Sequence, residues 1–268
     1  MLRRTFVHVP GVGATTEWRL WRAGAGDWEE FLASADRLRL KPETVERIAE
    51  HLARSRERLE AGDCLFFRDC LPRQQWWRAY PDFARQAAYL DIETTGMGDW
   101  AEVTVVGLLA QGRMQVFVRH ENLTELPGVL RQCPMIVTFY GSVFDMPFLR
   151  SRFSNITFEP LHLDLCFLLR RLGLRGGLKA VEQALGMERS EHTRGLNGFD
   201  AVRLWREWER GSRAARQLLL DYNREDVMHL ERLAQVAYEG LWQKLLAEYA
   251  AWRDRTADKA ARRAGRSR

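Results

Sequence analysis

Tyr89-Leu90-Asp91-Ile92-Glu93-Thr94-Thr95-Gly96 is the stretch on which the reading of this 268-residue chain turns. Alternate side chains of a strand share a face, so Asp91 and Glu93 point one way while Leu90 and Ile92 point the other. Two neighbouring carboxylates flanked by core residues repel each other and raise each other's pKa. A divalent cation removes that conflict, and a donor set made only of oxygen favours Mg²⁺ or Mn²⁺ over zinc. The competing reading is an edge strand with one wet face, where Asp and Glu only keep the surface soluble. The pair by itself does not separate the two.

Two further segments bear on it. Phe139-Tyr140-Gly141-Ser142-Val143-Phe144-Asp145-Met146-Pro147 leaves an apolar strand and enters a helix with proline near its first turn, which sets Asp145 at a helix N-terminus. Alone, Asp145 reads as a cap. In Asp221-Tyr222-Asn223-Arg224-Glu225-Asp226, Tyr222 and Asp226 stand four apart on a helix and share a face. Leu219, Val227, Leu230 and Ala234 mark a buried stripe beside them. Alone, that pair reads as an ordinary surface contact.

The surrounding pattern predicts strands over 88–94, 103–109, 114–118 and 135–139, with a short one near 156–161. Helices are expected over about 123–132, from Pro147, and through most of the remainder. Three early strands followed by alternating helix and strand give an α/β fold with a mixed sheet covered by helices. The first 85 residues read instead as helical and aromatic. One helix there opens at Pro42 and stops at Gly62, with Val45, Ile48, Ala49, Leu52 and Leu59 at helical spacing.

In this order and spacing, the three acidic segments resemble the DEDD superfamily of 3′–5′ exonucleases, and its DEDDy branch in particular. The histidine branch needs a His four or five residues before the last Asp, where this chain has Tyr222 and Asp221. His162-Leu163-Asp164-Leu165, the stretch 178–189 and the stretch 222–230 are similar to YprB-like ribonuclease H-like domains. So are 6–21 and 71–83, the part that precedes the domain in that family. The resemblance implies a ribonuclease H-like sheet and cleavage of DNA or RNA at single-stranded ends. It implies two Mg²⁺ or Mn²⁺ ions: Asp91, Glu93 and Asp226 hold the first, Asp91 bridges to the second, and Asp145 supports that one through water. Tyr222 then orients the attacking water. Tyr140 stands where relatives usually carry a small polar residue, often Asn, that faces substrate. A catalytically idle nucleic-acid-binding module and a structure-selective endonuclease are the alternatives that the same fold allows.

Composition limits the partners. The net charge is +5, yet 253–268 alone holds seven basic and two acidic residues, so the other 252 residues balance at 34 of each sign. Only four of the 41 basic residues are lysine. The tail has no apolar face and is expected to be disordered or only transiently helical. The division expected is 1–85, a helical N-terminal region; 86–252, the exonuclease domain; and 253–268, the basic tail. Cys64, Cys70, Cys133 and Cys166 show no metal-ligand spacing and read as reduced thiols of a soluble, cytoplasmic protein without a membrane partner.

Weaker signals remain. Pro10-Gly11-Val12-Gly13 resembles the hairpin of a helix–hairpin–helix element, whose amides can hold a phosphate, although an ordinary glycine turn is at least as good a reading. Trp76-Trp77-Arg78-Ala79-Tyr80 reads as packing more readily than as a base-stacking surface. Asp164 reads as a cap between strand and helix, and His162 and His229 as structural residues behind the acidic motifs.

Overall fold

The computed structural model describes residues 1–38, 40–98, 100–153 and 159–266. The chain forms two compact units, Met1–Asp82 together with the chain from Tyr238 onward, and Phe83–Ala237.

The first unit is helical: α1 (Ala14–Arg22), α2 (Trp28–Ser34), α3 (Pro42–Glu60), α4 (Cys64–Cys70) and the start of α5 (Tyr80–Phe83). Ile48 and Leu52 of α3 are buried at the expected spacing, and Gly62 follows with φ of +69°. Gly13 caps α1, but only a three-residue 3₁₀ turn, Leu2–Arg4, precedes the glycine turn. Glu17, fully buried, accepts the amides of Phe6 and Val7 at 2.7 and 3.3 Å and pairs with buried Arg78 at 2.9 Å. Trp77 and Tyr80 are buried too, their rings near Tyr238, so neither offers a face to a base.

The second unit is built on a five-stranded sheet in the order β3-β2-β1-β4-β5. Its strands are β1 (Ala87–Thr94), β2 (Val103–Ala110), β3 (Arg113–Val118), β4 (Met135–Thr138) and β5 (Leu161–Asp164). β1, β2 and β3 pair antiparallel; β4 joins β1 and β5 in parallel. Helices α6 (Leu126–Leu130), α7 (Asp145–Arg152), α8 (Leu165–Arg170), α9 (Leu178–Ala184) and α10 (Gly198–Glu209) surround it, and α11 runs from Arg213 to Arg266. This is the mixed, helix-flanked α/β sheet expected. The last strand is a correction: it occupies Leu161–Asp164, so it starts where the expected range 156–161 ends, and 156–158 of that range lie outside the described residues.

β1 is the central strand, which removes the edge-strand reading of Asp91 and Glu93. Leu90 and Ile92 enter a core with Val106, Leu108, Ile136 and Met146. On the other face Val105 and Val118 meet Leu204, Trp205, Leu219 and Tyr222. β4 pairs only with Ala87–Tyr89, so the end of β1 carrying the carboxylates runs past its parallel neighbour. Strand ends of this kind are where parallel α/β sheets place their ligands.

The domain limits differ from those expected. The last part of α11 belongs with the N-terminal residues because its aromatic side chains pack there: Trp21 meets Trp242 and Tyr249 edge-on, and Trp18 lies 5.7 Å from Trp252. In the structure α11 continues through 253–266, the first part of the basic tail's range. Ala, Arg and Lys are strong helix formers, and extending an existing helix needs no new nucleus.

Gly107 shows how closely α11 approaches the sheet. It lies opposite Asp91 in β2, and a Cβ there would stand 2.3 Å from Asn223 Oδ1 and 2.8 Å from Val227 Cγ2. Gly107→Ala should lower stability by about 1–3 kcal/mol through overpacking. A urea-denaturation midpoint equal to the parent's would show that α11 moves aside freely.

Candidate active site

Each carboxylate arrives by a different route. Strand alternation puts Asp91 and Glu93 on one face, with Asp91 half-buried and Glu93 buried. Asp226, one turn after Tyr222 on α11, is buried against the same face. One oxygen from each of Asp91, Glu93 and Asp226 falls within 4.8 Å of the others. Asn223 steadies the group, its Nδ2 donating to Asp91 Oδ2 at 2.9 Å.

Asp145 lies outside that triplet but beside it. It is the first residue of α7, buried, and its carboxylate bonds its own amide at the helix start. Its Oδ1 also accepts the Ile92 amide at 3.2 Å, on the flank of β1 that β4 leaves open. The capping reading of Asp145 is therefore incomplete: the same side chain ties the helix start to the strand between Asp91 and Glu93.

Electrostatics follow from burial. Desolvation, then the charges of Asp226, Glu93 and Asp145, push Asp91 well above the usual carboxylate range. Glu93 is raised in the same way by desolvation and by Asp226 and Asp145. Asp145 rises to about 7, burial outweighing its backbone hydrogen bonds. Asp226 is also raised by burial, although Arg189 opposes this.

Two cations offset part of this charge. Arg189 Nη2 lies 2.5 Å from Asp226, and its Nε and Nη2 bond Glu182 at 2.6 and 2.7 Å. Glu182 is in turn held by His229 Nδ1 at 2.9 Å. Lys179 Nζ donates to the Tyr222 hydroxyl at 2.9 Å. Four acidic groups thus face two basic ones, and Glu182 shares the arginine. The remaining negative charge and the all-oxygen donors fit a hard divalent cation.

The loop after β4 is fixed from behind. Asp164 caps α8 through the Cys166 amide, as expected, and also accepts the amides of Tyr140 and Ser142 at 2.8 and 2.9 Å. These bonds hold Tyr140 at φ +65°, with its side chain 43% exposed. A Cβ on Gly141 would stand 2.2 Å from Thr138 Oγ1, so glycine is required there. His162 Nε2 lies 2.8 Å from Thr138 Oγ1, and His229 backs Glu182; both sit behind the site, as expected.

A cavity of about 1140 Å³ opens over the group, lined by Asp91, Glu93, Asp145, Tyr222 and Asp226. All five site residues expected from the sequence therefore meet in one place. Sequence reading missed Arg189, Lys179, Asn223 and the wall formed by α10. The only signal for Asn223 is its position inside the Tyr222 motif.

A search of curated proteins finds no match. Among solved structures, the chain is similar to the family B DNA polymerase from the hyperthermophilic archaeon Pyrobaculum calidifontis, with 19% identity and a TM-score of 0.44. The similarity covers 60% of this chain and only 24% of the polymerase chain. The Aedes aegypti Nibbler EXO domain matches with 13% identity and a TM-score of 0.43, over 66% of this chain and 91% of that one. These similarities are too low to carry a functional argument. Residues 88–238 match the RNase_H superfamily, a span that holds the sheet but for its first residue, Ala87, and every acidic residue of the site. The chain belongs to the RNase H superfamily.

Proposed function

We propose that the protein is a metal-dependent nuclease, a 3′–5′ exonuclease of DEDDy type acting on single-stranded ends of DNA or RNA. The observation that carries this reading is the convergence of Asp91, Glu93 and Asp226 oxygens within 4.8 Å, in a cavity also lined by Asp145 and Tyr222. Asp91, Glu93 and Asp226 would hold one divalent cation, with Asp91 and Asp145 serving a second. Two Mg²⁺ or Mn²⁺ ions supply charge stabilisation to the attacking and leaving oxygens of an in-line displacement at phosphorus.

The protein's own groups do the rest. Burial, followed by the charges of Asp226 and Glu93, raises the Tyr222 phenol far above its usual value, so its proton stays on Oη. Tyr222 is thus an orienting hydroxyl and not a base, and Lys179 fixes it by donating to Oη. Tyr222→Phe should slow cleavage about tenfold, the cost of one lost orienting hydrogen bond, while Mn²⁺ and substrate still bind. Unchanged single-turnover rates would reduce Tyr222 to packing.

Incubation of the full chain with 5′-labelled single-stranded DNA and RNA in Mn²⁺ tests the reading. A ladder shortening from the 3′ end, abolished by EDTA, is expected. Internal cuts would favour an endonuclease, and no cuts the idle module.

A further inference from the structure

The cavity over the carboxylates is acidic at its floor and basic along one wall. That wall is α10 and the residue that ends it: Phe199, Val202, Arg203, Arg206, Glu207 and the C-cap Arg210 line the cavity, three arginines against one glutamate. A capping box fixes its start: Asn197 accepts the Phe199 amide at 2.9 Å and Asp200 accepts the Asn197 amide at 3.0 Å. Ala201, Leu204 and Trp205 anchor the opposite face in the core. The cavity-side residues recur at i, i+3, i+4, i+7, i+8 and i+11, so they form one row on a rigid helix.

The charges along the row are not equivalent. Arg203 is spent on Glu207 at 2.8 Å and Asp200 at 3.4 Å. Arg206 and Arg210 are exposed and make no ion pair among the described residues. They stand one helical turn apart, about 6 Å, comparable with the separation of adjacent phosphates along an extended strand. Phe199 lies about 10 Å further along the helix and is 83% exposed, a large aromatic face with nothing packed on it.

We infer that this face of α10 is the track for the substrate strand: Arg206 and Arg210 contact successive phosphates, and Phe199 stacks on a base. The inference rests on the nuclease reading only in taking nucleic acid as the ligand. Stacking on Phe199 requires an unpaired base. The track therefore selects single strands without reading sequence, because phosphate contacts and stacking are both sequence-tolerant.

Binding separates this inference from catalysis. The anisotropy of a short fluorescent oligothymidylate is titrated with the full chain in Ca²⁺ at several salt concentrations, and gels confirm that the probe stays intact. For the double variant Arg206→Ala/Arg210→Ala, the salt slope should fall by about 1.4, at about 0.7 per lost phosphate contact. Arg206→Lys/Arg210→Lys, which keeps the point charges, should restore it. Phe199→Ala should weaken binding about tenfold with the slope intact, since it removes stacking and no charge. The same oligonucleotide annealed to its complement should compete poorly.

Parent affinity and slope in the arginine double variant would overturn the track, as would equal competition by the duplex or failure of the parent to bind the probe. Binding that depends on α10, without cleavage of the same probe in Mn²⁺, would uphold the track and sink the nuclease reading. Cleavage with indifferent α10 variants would do the reverse.

Discussion

Asp91→Asn and Asp226→Asn should each lower cation-dependent cleavage by two decades or more. Each change withdraws a charge from the place where negative charge accumulates during phosphoryl displacement. Asp91→Asn is the cleaner of the two, because Asp226 also serves Arg189. Its effect on stability should run the other way. Asp91 lies half-buried among like charges and prefers its neutral form, so without metal it weakens the fold as pH rises through its elevated pKa. In EDTA at neutral pH the variant should melt no lower than the parent, while the rise in Tm caused by Mn²⁺ shrinks. Full activity, or an undiminished rise in Tm, would overturn the assignment.

Arg189→Ala should cost about 3–5 kcal/mol of stability, because it removes the group that hydrogen-bonds both buried Glu182 and buried Asp226, leaving Lys179 and His229 to offset them. Its guanidinium is 7% exposed and contacts Glu182 and Asp226 together. Burial alone would raise Glu182; the hydrogen bonds from His229 and Arg189 overcome this and hold it below the usual carboxylate range. A carboxylate with a lowered folded pKa contributes stability above its unfolded pKa and loses it as pH falls through the folded one. The gap between parent and variant should therefore be widest at neutral pH and narrow below about pH 4. Lysine should not rescue it, since the fork that bridges two carboxylates is specific to arginine. Urea denaturation at both pH values checks this; a gap below about 1 kcal/mol at neutral pH would show that Arg189 braces nothing.

What could be read from the sequence was whatever has a short period. Asp91 and Glu93 share a face because strands alternate, and Tyr222 meets Asp226 because helices repeat near four; both patterns survive in the structure. The central position of β1 has no local signature, which is why an edge strand stayed open until the sheet order was known. Arg189 and Lys179 come from the region around α9, and nothing in their neighbourhood announces carboxylates brought from β1 and α11. The shared helix hid the division into units, since no proline interrupts α11 where the units meet at Ala237 and Tyr238.

The clasp between Asn223 and Asp91 joins residues 132 positions apart. On a growing polypeptide, β1 emerges long before the helix that completes its acidic end. Until residue 226 has been made and α11 has docked, Asp91 and Glu93 are two mutually repelling groups without their third ligand. Contacts this distant in sequence form late, after the loop between them has been closed. On the proposed reading, the acidic site would therefore be completed only at the end of folding, and an unfinished chain would not yet be able to cut nucleic acid around it.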